Sequence, residues 1–269
     1  MQTFLPYPDF AASAAALDQA RLGKQRVETL QALRALVIPD YGWQRHPAIR
    51  MWMGYVPALS LYGLAMVQEW VSRGHADTTG PLIREFAPDA DPQEVPLPPW
   101  LGNAGVHLSH QSNLIQKAPE IYRDRFPGVP EDLPYLWPEP DREILPAEPA
   151  GGRVWVWRSD AVPAGEPGET GESDAALRMP LEAPGGRAAP KWERQLAVFE
   201  HGIADGDTVV LAGADPERFR TGTAGPVLLA EDVLLRGLAL DGWVRRGDFD
   251  RPALLQDPRT LFCVPRPRR

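Results

Sequence analysis

Residues 17–30 read LDQARLGKQRVETL, and this stretch decides the fold class of the N-terminal half. At 100° per residue, its leucines fall on one face of a helix and most of its charged residues fall on another. The two faces hold Leu22, Leu30, Leu33 and Val37 on the apolar side, and Arg21, Lys24, Glu28 and Gln31 on the polar side. The pattern predicts a helix that lies between a packed core and an active cleft.

Arg26 breaks this pattern, because it falls among the leucines of the apolar face. A charge that faces a core is costly unless it is paired or lines a cavity. The plainer alternative for the polar side is a solvated helix face with a weak ion pair between Lys24 and Glu28. The sequence leaves both interpretations open.

Composition and charge restrict the class of protein. Cys263 is the only cysteine in the 269 residues, which excludes an internal disulfide and a zinc site built on cysteines. The net charge of −8 argues against bulk attraction to nucleic acid or anionic lipid. Residues 1–75 nevertheless carry two more basic than acidic side chains, so a small basic site is compatible with this balance. We find neither a signal peptide nor a membrane-spanning run, and expect a cytoplasmic protein that does not bind membranes.

The first half of the chain reads as helical. We predict an all-α compact domain over residues 1–138, in which one helix runs from Ala11 to about Leu36 and a second begins at His46 and Pro47. Further helices are expected over residues 57–72, 105–117 and 119–126.

Proline, glutamate and alanine dominate residues 139–152, which predicts a linker. The following region, residues 153–269, is expected to form a small α+β or β-barrel-like module, with a mobile segment over 162–190. Its strand signals lie at residues 154–157, 208–211, 227–229, 243–244 and 261–264, and a helix is expected over 191–201.

Residues 41–55 interleave aromatic and basic side chains, a mixture that suits stacking on a base while a cation meets a phosphate. The candidate DNA contacts here are Arg45, His46, Arg50 and Trp52, together with Arg21 on the preceding helix. His46 lies at a helix N-terminus, where the helix dipole disfavours imidazolium, so we expect it to be neutral at pH 7 and to act as a donor or acceptor.

A second polar stripe lies on the helix expected over 105–117. His110, Asn113 and Lys117 share one side of it and are candidates to contact the DNA backbone or to complete a pocket. His107 and His110 could share a metal ion, but no third ligand stands out, and we therefore predict neither a metal nor a cofactor.

Four segments, in this order, carry a family resemblance: RLGKQRVE at 21–28, HPAIRMW at 46–52, PPWLG at 98–102 and DLPYLWP at 132–138. They resemble the pyrimidine-dimer DNA glycosylase family, which includes the endonuclease V-like enzymes of T-even phages, and are closer still to a bacterial branch of it. The resemblance covers roughly residues 1–138. It implies an all-helical enzyme that kinks duplex DNA, flips a damaged or modified base and forms an imine with the sugar through an amine. A glutamate then drives β-elimination.

Residue by residue, the resemblance places the glutamate at Glu28, its neighbouring basic side chain at Arg26 and the histidine before proline at His46. The aromatic ending of the family corresponds to Tyr122, Tyr135 and Trp137.

The nucleophile is less defined, because family enzymes use the amine of a small residue that removal of methionine exposes. Here the second residue is Gln2, whose bulk hinders that removal. The sequence leaves the amines of Met1, Gln2 and Lys24 as candidates, and water activated by Glu28 as a fourth.

Two other functions are compatible with the sequence. One is a non-catalytic nucleic-acid-binding module that keeps the fold and tolerates loss of Glu28. The other is a helical protein-interaction domain in which the charged cluster is only a salt-bridged face, which predicts an exposed Arg26. The C-terminal module could also bind a protein partner.

Overall fold

Asp18 determines where the first long helix begins. In the computed structural model, which describes residues 1–158, 175–184 and 189–268, helix α1 (Phe10–Ala16) ends before Leu17, whose backbone is extended. Helix α2 (Gln19–Val37) starts again after Asp18, whose carboxylate accepts hydrogen bonds from the backbone N–H groups of Ala20 and Arg21. The expectation of one continuous helix from Ala11 was therefore wrong, because the N-cap at Asp18 breaks it.

Helices form the regular structure of the N-terminal compact unit, Met1–Ala147, as predicted. The expected helix at His46 and Pro47 is a single turn, and the short α5 was not predicted. The remaining helices are α3 (Pro47–Arg50), α4 (Val56–Ser72), α5 (Thr79–Arg84), α6 (Ala104–Lys117) and α7 (Pro119–Tyr122).

Helix α4 occupies the centre of this unit and packs against α1, α2 and α5. Its side chains at Leu59, Tyr62 and Met66 are fully buried. Gly63 permits a close approach to α2, since a Cβ atom there would lie 2.8 Å from the methyl carbon of Thr29. The long apolar stretch of α4 thus supports the helix that carries the charged cluster.

Arg26 is accommodated by two neighbours. Its guanidinium forms an ion pair with Asp77, just before α5, and lies over the indole of Trp70 on α4, 4.3 Å from the ring centroid. The side chain is largely buried. Pairing therefore explains the charge on the apolar side of α2, and the protein-interaction alternative loses the exposed Arg26 that it predicted.

We expect Asp77→Asn to lower the free energy of unfolding by about 1.5–3 kcal/mol, because Arg26 would lose a charged partner. Burial alone would raise the pKa of Asp77, but the Gly80 N–H, the Thr79 hydroxyl and Arg26 together hold it below its ordinary value. A depressed folded-state pKa stabilises the fold above the unfolded-state pKa, and this stabilisation is lost as the pH falls through the folded-state value. Urea titrations between pH 3 and 7 should show the two proteins converging at the acid end. Equal midpoints for Asp77→Asn and the exposed control Asp89→Asn at pH 7 would contradict this.

The second compact unit, Glu148–Arg269, is built on one six-stranded mixed sheet. Its strand order is β2-β5-β4-β3-β1-β6, with β1 and β3 parallel and the other pairs antiparallel. The strands are β1 (Arg153–Arg158), β2 (Ala175–Pro180), β3 (Thr208–Ala212), β4 (Arg218–Ala230), β5 (Val233–Arg245) and β6 (Leu261–Pro265). The sheet is open, so an α+β module is correct and the barrel-like alternative was wrong.

Helix α8 (Ala189–Ala197) and a π-helical turn (Val198–Gly202) together provide the expected helix and pack on one face of this sheet. The predicted mobile segment, 162–190, lies for the most part outside the described residues, and the described part of it includes β2. The predicted linker, 139–152, spans the boundary between the two units.

Among the described residues, no helix combines the length and the apolar character needed to cross a bilayer.

Candidate active site

The first residues of the chain form an extended segment that runs through the interior of the helical unit. Thr3, Phe4 and Leu5 are buried, although they belong to neither a helix nor a strand. Buried backbone groups need hydrogen-bond partners, and here side chains supply them. This segment, residues 1–6, is called the N-terminal strap below.

Gln25 holds the strap from α2. Its side-chain oxygen accepts the N–H of Phe4 at 3.2 Å, and its side-chain nitrogen donates to the carbonyl of Gln2 at 2.8 Å. The amide thereby pairs with the backbone much as a neighbouring strand would. Gln25 is fully buried, and its role was not predicted from the sequence.

His107 and His110 on α6 hold the strap at Leu5. His110 Nδ1 accepts the Leu5 N–H at 3.2 Å, and His107 Nδ1 lies 2.8 Å from the Leu5 carbonyl oxygen. His107 Nε2 accepts the N–H of Gly102, so His107 donates through Nδ1. Both rings are therefore engaged with backbone, and among the described residues no group of three His, Cys, Asp or Glu side chains could hold a metal ion.

Burial lowers the pKa of His110 to about 3, and the neighbouring His107 adds to this effect. The ring is thus neutral, and since Nδ1 accepts a hydrogen bond, the proton resides on Nε2. His110 is fully enclosed, and the buried Asn113 donates to the carbonyls of Ser109 and Leu133. Burial of both side chains does not fit an exposed contact of His110 and Asn113 to the DNA backbone, and the alternative that they complete a pocket stays a prediction.

Trp52 is also a core residue and not a DNA contact. Its indole is fully buried, packs edge to face on Trp100 and donates to the hydroxyl of Thr3 on the strap. The exposed aromatic of this region is Trp43, which is 61% exposed and lies beside His46. Trp43 follows Gly42, precedes a helix start and fits no apolar periodicity. These features of the sequence could have identified it as an exposed aromatic residue.

These contacts place the start of the chain against Glu28. The α-amine of Met1 lies 3.8 Å from Glu28 Oε1, and the N–H of Gln2 donates to Oε2 at 3.1 Å. Lys24 Nζ lies 3.5 Å from Oε1, one helical turn away. The Glu28 side chain is 10% exposed and that of Lys24 is 72% exposed. Of the predicted catalytic residues, Met1, Lys24 and Glu28 are brought together, whereas Arg26 pairs with Asp77.

His46 belongs to the same neighbourhood. It caps α3, since Nδ1 accepts the N–H of Ala48 at 3.2 Å. Burial lowers its pKa below the ordinary value, the positive chain terminus lowers it further, and Glu28 opposes the shift. The direction agrees with the predicted neutral imidazole, although the main cause is desolvation and not the helix dipole.

The charge of Glu28 also contributes to the raised pKa values of two tyrosines. Burial, followed by the charge of Glu28, raises the pKa of Tyr62 well above its usual value, and its hydroxyl donates to the carbonyl of Phe4. Burial likewise raises the pKa of Tyr135, with Arg21 opposing and Glu28 adding to the shift. The Tyr135 ring stacks on Trp137 with centroids 4.8 Å apart, and both rings meet His110 edge to face.

Three buried polar atoms in this neighbourhood have no hydrogen-bond partner among the described residues. They are the side-chain oxygen of Gln2, Nε2 of His110 and the hydroxyl of Tyr135. An unsatisfied buried polar group is costly and calls for an explanation.

The other predicted DNA contacts differ in how exposed their side chains are and in whether acidic residues pair with them. Arg45 and Lys117 are exposed. Arg50 lies 3.6 Å from Glu139 and 3.8 Å from Glu143, which neutralise part of its charge.

Arg21 pairs with Asp18 at 2.6 Å and lies over the ring of Tyr122. The Tyr122 hydroxyl donates to the same carboxylate at 2.5 Å, and burial raises its pKa to about 12. Tyr122 thus fixes the N-cap of α2 and is separate from the stacked pair Tyr135 and Trp137.

Residues 1–80 match the family model of pyrimidine dimer DNA glycosylase. The predicted family relationship is confirmed for this segment. The matched segment contains the strap, Lys24, Glu28 and His46, and it ends within α5. The α6 residues that hold the strap lie beyond it. No curated protein and no solved structure matches the chain.

Proposed function

We propose that the helical unit is a DNA glycosylase with AP-lyase activity, in which the α-amine at the start of the strap is the nucleophile and Glu28 moves the protons. The observation that carries the proposal is the 3.8 Å separation between that amine and Glu28 Oε1. The match of residues 1–80 to a DNA glycosylase family supports the substrate class.

The arrangement suits the required chemistry. The amine forms a bond to C1′ of the sugar as the bond from C1′ to the damaged base breaks, and the base leaves with a proton. The nitrogen then loses a proton, the bond from C1′ to O4′ breaks as O4′ takes up a proton, and the opened sugar carries the imine. Glu28 then removes a proton from C2′, and the bond from C3′ to the phosphate oxygen breaks. A carboxylate next to the amine can accept protons in both stages, and such general base catalysis depends first on geometry.

The strap favours the α-amine over Lys24. Nucleophilic catalysis gains from a fixed reacting group, because orientation removes an entropic barrier. The Met1 side chain is nearly buried and the strap residues beside it are hydrogen-bonded to Gln25, whereas the Lys24 side chain is 72% exposed. An ordinary α-amine is also less basic than a lysine, with a pKa of about 7.7–8.0 against about 10.4.

The three unsatisfied polar atoms offer hydrogen bonds to a bound substrate. The Gln2 oxygen accepts, His110 Nε2 donates, and the Tyr135 hydroxyl does either. A polar group of a flipped nucleotide would satisfy them, which supports a substrate that reaches the neighbourhood of Glu28. Trp43 and Arg45, exposed beside His46, are the proposed surface contacts to DNA.

Sodium borohydride trapping on defined duplexes tests the proposal. We would compare duplexes that contain a pyrimidine dimer, an abasic site or a modified cytosine with an undamaged duplex. A covalent protein–DNA adduct on at least one damaged duplex, together with strand cleavage, is the expected result. Binding to all duplexes with neither base release nor an adduct would instead favour the non-catalytic nucleic-acid-binding module.

A further inference from the structure

The start of β4 and the end of β5 lie side by side in the C-terminal unit and carry a cluster of cationic and aromatic side chains. Arg220 pairs across the strands with Trp243, and Arg218 pairs with Arg245. Residues two apart on a strand, and residues directly opposite, point to the same face of a sheet. Arg218, Arg220, Trp243 and Arg245 therefore share one face and are called the Arg–Trp platform below.

The opposite face of β4 and β5, behind the platform, is buried and holds these strand ends in place. Phe219 and Val244 alternate with the platform residues, pair with each other and are buried. Phe219 packs edge to face on Phe249. The platform thus rests on a fixed support, although its own residues are largely in solvent.

The charges of the platform are not neutralised within the described part of the chain, where Arg218, Arg220 and Arg245 form no ion pair. Two acidic side chains of the same region, Asp241 and Asp248, are engaged in hydrogen bonds within the unit. Asp241 accepts hydrogen bonds from the hydroxyls of Thr221 and Thr223, and Asp248 accepts one from the backbone N–H of Arg245.

Like charges directly opposite each other destabilise a sheet, as at Arg218 and Arg245. A conflict of this kind, in a protein of net charge −8, indicates a site for an anion.

Trp243 adds a stacking surface to these charges. It is 55% exposed, and the guanidinium carbons of Arg218 and Arg220 lie 4.9 Å and 5.6 Å from its ring centroid. The indole therefore keeps two guanidinium groups beside it, while more than half of its surface faces solvent. Exposed aromatic rings among arginines are the usual means of binding unpaired bases and their phosphates.

We propose that the Arg–Trp platform is a second nucleic-acid site, which binds single-stranded DNA by stacking a base on Trp243 and pairing phosphates with Arg218, Arg220 and Arg245. Along β4 the two arginines are about 7 Å apart, since each residue advances the strand by about 3.4 Å. A single strand can adapt its phosphates to this spacing, whereas a duplex keeps its bases stacked and away from the indole.

Fluorescence anisotropy with an undamaged thymidine oligonucleotide tests the proposal on the full chain. The Glu28→Gln background prevents strand cleavage and leaves the platform unchanged. Trp243→Ala should weaken binding at least fivefold, as expected from the loss of one stacked base, and Trp243→Phe should restore most of the affinity. Each of Arg218→Ala and Arg245→Ala should reduce the slope of log K against log salt by about 0.7.

Two exposed residues elsewhere on the sheet provide matched controls. Arg178→Ala on β2 and Leu229→Ala on β4 should leave both the affinity and the salt slope unchanged. Photocrosslinking of a 4-thiothymidine oligonucleotide should label the tryptic peptide 237–245, which contains Trp243. Unchanged affinity in Trp243→Ala, or a loss equal to that of the controls, would overturn the proposal.

The test also separates other partners and the proposed catalytic function. Tighter binding of a uridine oligonucleotide, or full competition by polyglutamate, would overturn the assignment to DNA in favour of RNA or an acidic protein segment. Failure of both borohydride trapping and base release, with intact platform binding, would count against the glycosylase proposal alone. The reverse result would count against the platform alone.

Discussion

Glu28→Gln should reduce strand cleavage by about 10²–10⁴-fold and leave DNA binding largely unchanged. The amide keeps the shape of the carboxylate and can still accept the hydrogen bond from Gln2 N–H. It has no basicity, however, and can take a proton neither from the amine nor from C2′. Single-turnover cleavage of a damaged duplex, with binding measured separately, distinguishes the chemical step from affinity.

Glu69→Gln is the matched control for this experiment. Glu69 also pairs with a cation one helical turn away, Arg73 at 2.8 Å, but it does so at the end of α4. This variant should cleave like the unmodified protein. Cleavage by Glu28→Gln at the same rate as Glu69→Gln would remove Glu28 from the mechanism.

Extra residues placed before Met1 should abolish both strand cleavage and borohydride trapping. An extension converts the α-amine into an amide, which is not nucleophilic, and it moves the free amine away from Glu28. In the unextended protein the trapped adduct should map to the tryptic peptide 1–21. A chain whose Met1 has been removed should show the adduct on Gln2, whose nitrogen already lies 3.1 Å from Glu28 Oε2.

The same extension attached at the C-terminus is the control and should have no effect. Lys24→Ala distinguishes the Lys24 amine from the α-amine. An adduct on Lys24 would disappear in that variant and persist in the N-terminally extended protein. Full activity of the extended protein, with an adduct at Lys24, would refute the assignment to the α-amine. Base release without any adduct would leave water, activated by Glu28, as the nucleophile.

The sequence predicted those helices that are specified by residues close together in the chain. The apolar stretch of α4 and the residues before α6 specify those helices well, because periodicity and an N-cap act within a few residues. The division of α1 from α2 was missed, although Asp18 was visible in the sequence. The Ala-rich run favoured helix throughout, and the hydroxyl of Tyr122, 104 residues away, helps to fix Asp18 as a cap.

The candidate site was predicted only where its residues lie on one helix. Lys24 and Glu28 are one turn apart, so their contact follows from helical geometry. The strap was not predictable in this way, because its partners come from α2, α4 and α6. His110 and Trp52 were assigned to DNA because polar and amphipathic side chains suggest a surface, whereas their hydrogen bonds to the strap explain their burial.

The strap has a consequence for when the protein can act during its synthesis. In the proposed mechanism the nucleophile belongs to Met1, but the residues that anchor the strap include His110 and Gln111, which lie 105 residues from their partners Leu5 and Pro6. A nascent chain that ends before α6 therefore carries the amine without the contacts that α6 makes to the strap. The same holds for a molecule that has locally unfolded. The proposed strand cleavage should therefore require a chain in which α6 has been synthesised and is folded.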